Sequence, residues 1–212
     1  MERLPRYSGT AGIISAFLLL LFLILGFVVP GTGATFADPV RTLTFIAQNR
    51  WEWRIANLLT ALVAGLAVVF TAGLRNRLRE PAPTRAMLVL YTALIGFGGY
   101  ALASFILWKG GNAMASYLAK DQVAATHAWL ALHFAARGAA DVGNAFVGVA
   151  LILAGWAITE TGAITRSTGR LGIVTGLMTL VVIVPLARWI ELVQAVLTIA
   201  WLAWTGSELR KT

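Results

Sequence analysis

From Ala11 to Val29 the chain carries no charged side chain, and that single run removes most folds from consideration. An α-helix rising ~1.5 Å per residue needs about 20 mostly apolar residues to cross a hydrocarbon core roughly 30 Å thick. Five further segments meet or nearly meet this requirement: about Trp53 to Leu74, Ala86 to Trp108, about Ala139 to Thr159, Leu171 to Leu186, and Trp189 to Trp204. The last two are short and meet around Pro185 with almost no loop. The expected fold is all-α, a polytopic membrane protein with six transmembrane helices in one domain over residues 1–212.

Composition agrees. Of the 212 residues, 58% are hydrophobic and 12% charged, where a soluble domain carries about 25% charge. A water-soluble globule and a disordered chain are both excluded. The absence of cysteine also excludes a disulfide scaffold and Cys-ligated zinc or iron–sulfur sites. The net charge of +8 and pI near 10.8 could point to nucleic acid, whose binding rewards clustered basic patches. Here the charges form short islands between apolar runs, so no nucleic-acid partner is expected and the lipid bilayer is the partner.

Basic residues accumulate on the cytoplasmic side of membrane proteins. With the N-terminus inside, Arg3, Arg6, Arg75, Arg77, Arg79, Arg85, Arg166, Arg170, Arg210 and Lys211 all fall inside, leaving +6 there and +2 outside. Both termini are therefore expected in the cytoplasm. The first run follows Arg3 and Arg6 like a signal peptide but is longer than a signal core, so an uncleaved span is expected. Indole prefers the membrane interface. Trp51, Trp53, Trp108, Trp129 and Trp189 fall at outer span ends, and Trp156, Trp201 and Trp204 at inner ends.

Two outer connections can hold structure of their own. Asp38 and Pro39 read as N-cap and first helical residue, and Val40, Leu43 and Ile46 recur at helical spacing, predicting a short interfacial helix between the first two spans. Asn112 to Ala136 reads similarly, with Met114, Tyr117 and Leu118 as its apolar side, before it extends the fourth span outward. Arg79 to Arg85, with Pro81 and Pro83, is a breaker loop.

Ionisable side chains are costly in lipid and ask for a partner or a wet cavity. Sorting polar residues by helical face aligns His133, Arg137, Asp141, Asn144, Gly148 and Gly155 on the fourth span. On the second, Arg50, Trp53, Asn57, Thr60, Ala64 and Ala67 share a face, with Glu52 and Arg54 beside it. On the sixth, Glu191, Gln194, Thr198 and Thr205 align, with Arg188 one turn above. All the deep polar groups lie in the outer half. Glu52, Asp141 and Glu191 can face Arg54, Arg137 and Arg188 as a balanced cluster. The candidate ligand-binding residues are Glu52, Arg54, Asn57, His133, Arg137, Asp141, Asn144, Arg188, Glu191 and Gln194. Gly96, Gly99 and Ala103 on the third span, and Gly172 and Gly176 on the fifth, read as close-packing positions.

Three functions are compatible with this stripe. It can bind or move a small amphipathic or lipid-like ligand, alone or as an accessory subunit of a membrane complex. It can serve a membrane-embedded enzyme or a redox or proton-relay protein through His133, Asp141 and Glu191. It can be a purely structural ion-pair network. His127 and His133 lie about 240° apart around a helix, so they cannot share a metal from one face. No nucleophile elbow, phosphate loop, zinc-protease or dinucleotide motif is present. No metal and no cofactor are expected.

The pattern resembles a family of small bacterial six-helix membrane proteins catalogued as a domain of unknown function. The residues that carry the resemblance are Ser8-Gly9-Thr10-Ala11-Gly12-Ile13-Ile14 and Trp51-Glu52-Trp53-Arg54 at the start, then His133 with Asp141 and Gly143, Gly148 and Gly155, and Gly169-Arg170-Leu171-Gly172. The resemblance implies the fold and a multi-pass location in the inner (cytoplasmic) membrane, and no particular activity.

Overall fold

A computed structural model describes residues 3–28, 38–184 and 188–211. These form seven α-helices: α1 (Arg3–Val28), α2 (Pro39–Gln48), α3 (Arg50–Leu78), α4 (Pro83–Tyr117), α5 (Gln122–Thr161), α6 (Arg166–Val181) and α7 (Arg188–Lys211). There is no strand among the described residues. Five helices, all but α2 and α6, are long and apolar enough to cross a membrane. They match five of the six expected spans. The remaining one is α6, with 16 residues, about 24 Å at helical rise. The turn around Pro185 lies outside the described residues.

The helix boundaries follow local chemistry. The Asp38 carboxylate accepts from the Arg41 backbone N–H at 2.8 Å, and Pro39 opens α2, as the sequence predicts. Leu43 and Ile46 are fully buried, so α2 packs its apolar side on α3, α4 and α5. Asp121 caps α5 in the same way, accepting from the Ala124 N–H at 2.9 Å. Helix α5 ends at Gly162, whose φ of 64° is the left-handed conformation that glycine adopts without strain.

One connection differs from expectation. The sequence ends the third span at Trp108 and starts a separate outer segment at Asn112. Instead α4 continues unbroken to Tyr117, and only the turn at 118–120 separates it from α5. Gly110 and Gly111 are helical. A Cβ on Gly111 would lie 2.8 Å from Trp53 Nε1, and that indole donates to the Leu107 carbonyl at 3.1 Å. Glycine is needed here for the approach of α3 to α4. Trp53 and Trp129 are correspondingly buried, edge to face with each other at 6.1 Å.

Among the described residues α1, α3, α4, α5, α6 and α7 close into a ring in that order, each packed on the two beside it. Contact is thinnest between α6 and α7. Neighbours are antiparallel. Gly9 meets Gly206 and Arg210 while Gly12 meets Leu202, and Gly155 meets Ile173 while Gly148 meets Gly176 and Leu180. Helices in lipid associate through close packing more than through apolar burial. A Cβ on Gly176 would sit 2.6 Å from the Gly148 carbonyl, and one on Gly206 would sit 2.7 Å from that of Gly9.

The antiparallel order brings the start of α1 and the end of α7 to one end of the ring. Arg85 pairs with Glu160 there and stacks on Trp156 at 4.3 Å. At the same end Arg77 donates to the Ala163 carbonyl at 3.2 Å, and Thr165 bonds Glu208 at 3.3 Å. Arg6, Arg75, Arg79, Arg166, Arg170, Arg210 and Lys211 belong to the same turns, which makes this the basic end. Around the ring's outside, Phe17, Leu62, Val69, Ile95, Leu102, Phe146, Leu177 and Val196 are exposed.

Candidate functional site

Within the ring lies a partly open cavity of about 320 Å³ walled by α1, α3, α4, α5 and α7. Most of its polar lining groups lie away from the basic end, where the apolar Leu19, Phe22, Leu23 and Val63 line it as well. Toward the basic end the lining includes Phe70, Thr71, Leu74, Val89, Leu151, Ala154, Trp201 and Leu202. Phe70 and Trp201 stand edge to face at 5.4 Å. At the other end are Thr60, Tyr100, Asn144, Gln194 and Thr198.

The polar residues form a hydrogen-bonded collar. Tyr100 Oη donates to Asn144 Oδ1 at 2.6 Å, linking α4 to α5. Gln194 Nε2 donates to Thr179 Oγ1 at 3.2 Å and to Thr198 Oγ1 at 3.1 Å, linking α7 to α6. Thr60 and Thr198 return their hydroxyls to carbonyls four residues back, at 3.0 Å and 2.9 Å, the usual way a helix accommodates them. Among the described residues no Asp, Glu, Lys, Arg or His lines the cavity.

The charges lie one turn farther out. Arg137 Nε is 3.3 Å from Asp141 on its own helix, and Arg137 Nη1 is 3.5 Å from Glu191 on α7. Because Asp141 and Asn144 are three residues apart, as are Glu191 and Gln194, the ion pairs stand directly above the collar. They also bridge α5 to α7 at the level where α6 ends. Both pairs are partly exposed, so their worth is in position more than in stability.

A family model described as a domain of unknown function, DUF4386, matches residues 10–207. The chain belongs to this family. No curated protein and no solved structure matches it. The DUF4386 match runs from the first turns of α1 to the last turns of α7, so ring, cavity and collar all fall within it.

Within the DUF4386 ring the sequence-predicted residues divide. Arg137, Asp141 and Glu191 come together one turn beyond the cavity, and Asn144 and Gln194 belong to the collar. Glu52 and Arg54 are exposed on α3, where the Arg54 guanidinium lies 5.1 Å from the rings of both Trp51 and Trp108. Asn57 is buried and donates to the Trp53 carbonyl of its own helix at 2.9 Å. His133 stands edge-on to Trp129 at 5.5 Å. The Arg188 side chain lies outside the described residues. Tyr100 is the collar residue that face sorting missed, because an aromatic inside a span reads as core. Its signal was its place one turn from Gly96 on the face that meets Asn144.

Proposed function

We propose that this is a multi-pass protein of the inner membrane with six crossings and both termini cytoplasmic. We further propose that its ring binds or moves a small amphipathic or lipid-like ligand. The crossing number rests on parity. A ring of antiparallel neighbours that returns the end of α7 to the start of α1 needs an even number of passes, and α6 supplies the sixth. The orientation rests on the basic end, by the positive-inside tendency, and α2 then lies at the outer interface. The exposed apolar girdle would otherwise be a severe aggregation liability.

The cavity carries the ligand reading. A structural network needs neither a cavity nor polar groups set into its apolar lining, whereas an amphipathic molecule fits both, and ligand sites combine apolar walls with a few placed polar groups. A proton relay through His133, Asp141 and Glu191 has weaker support, since Arg137 engages both acids.

The test is extraction and mass spectrometry of molecules that co-purify with the protein. The reading expects a defined molecule near one per chain, depleted in Ala150→Leu, which fills the cavity from a buried lining position. A heterogeneous lipid profile unchanged by that substitution contradicts it.

A further inference from the structure

The collar's unused hydrogen-bonding groups narrow the ligand. Asn144 accepts from Tyr100 through Oδ1, which leaves its Nδ2 donors unengaged among the described residues. Gln194 spends its Nε2 donors on Thr179 and Thr198, which leaves its Oε1 acceptor unengaged among them. The Asn144 donors and the Gln194 acceptor, beside the Thr60 and Tyr100 oxygens, therefore line the polar end of the cavity, and among the described residues no charged side chain does. A charged head there would lose its hydration without gaining a counter-ion, which costs far more than a hydrogen bond returns.

The tail is constrained by length. From Asn144 to Ala154, both lining the cavity, the axis runs about 15 Å. That is half of a hydrocarbon core of roughly 30 Å, the depth of one leaflet. The volume lies at the lower end of the ligand-site range of about 300–1,000 Å³, which favours one chain over two. Resting on the binding reading above, we infer that the ligand is a single-chain amphipath with an uncharged head that both donates and accepts hydrogen bonds. A long-chain alcohol or a monoacylglycerol has this chemistry. The head sits between Asn144 and Gln194, and the tail points to the basic end.

Trp201 lies at the tail end and reports on occupancy. Protein in phosphatidylcholine nanodiscs is titrated with a monoacylglycerol carrying a brominated chain, and separately with the alkylsulfonate of the same brominated chain, which stays ionised. The expected result is saturable quenching by the monoacylglycerol, with the sulfonate weaker by about tenfold or more. Trp201→Phe should remove the saturable part, and Asn144→Leu should weaken it about fivefold. Should Trp201→Phe not fold, relief of quenching by unbrominated monoacylglycerol replaces it. Equal or tighter binding of the sulfonate overturns the uncharged head and leaves the binding reading standing. Saturable quenching by neither probe overturns both.

Discussion

Tyr100 and Asn144 are joined by a 2.6 Å hydrogen bond between α4 and α5, and this bond sets which atoms of Asn144 face the cavity. With Oδ1 committed to the phenol, the amide presents its nitrogen. Interhelical hydrogen bonds in membranes contribute about 0.6 kcal/mol, up to ~1.7. Tyr100→Phe should therefore lower unfolding free energy by about 0.5–1.5 kcal/mol and let the Asn144 amide rotate. A double-mutant cycle with Asn144→Leu in a reversible unfolding assay should show strongly non-additive losses.

The helix contacts make a sharp prediction about glycines. Gly176→Ala would put a methyl group 2.6 Å from the Gly148 carbonyl, so α5 and α6 must separate, at a cost of about 1–3 kcal/mol. Gly98 has nothing within 4 Å of its added Cβ, and Gly98→Ala should be neutral or mildly stabilising. Thermal unfolding of the two variants side by side measures the contrast. Equal melting temperatures would contradict the packing.

The Arg137–Glu191 pair is part-exposed, 39% and 52% at the two side chains, and such pairs add only ~0–1 kcal/mol. It joins α5 to α7 one turn beyond the collar. Glu191→Gln should leave thermal stability nearly unchanged while speeding ligand exchange several-fold, as measured by stopped-flow quenching of Trp201. A large stability loss with unchanged exchange would assign the pair a purely structural part.

The chain has no cysteine, so single introduced thiols report topology cleanly. Arg79 and Lys120 are exposed at opposite ends of α4. In intact cells Lys120→Cys should react with an impermeant maleimide, and Arg79→Cys should react only after lysis. The reverse pattern would invert the proposed orientation.

Much of this architecture was legible in the sequence, because apolar run length and helix caps are local. Asp38, Pro39, Leu43 and Ile46 alone specify α2. The alignment of Asn57, Thr60, Ala64 and Ala67 picked out the inward side of α3, and Thr60, Ala64 and Ala67 line the cavity. What was not legible is which neighbour each face meets. Glu52 and Arg54 flank Trp53 at ~100° to either side, and only packing decides that Trp53 turns inward while the charges stay outside. That α4 runs on through Gly110 and Gly111 follows from their neighbours, Leu132 at the first and Trp53 at the second. Ring closure is likewise a property of six helices together, as is the cavity it leaves.

The most direct measurement is a cryo-EM map of the protein in nanodiscs made from native membranes, at a resolution that shows side chains. It should contain one elongated density along the ring axis, with its head between Asn144 and Gln194 and its tail reaching Trp201 and Leu202. A ring whose cavity is collapsed, or filled only by isolated waters, would contradict the ligand-binding proposal.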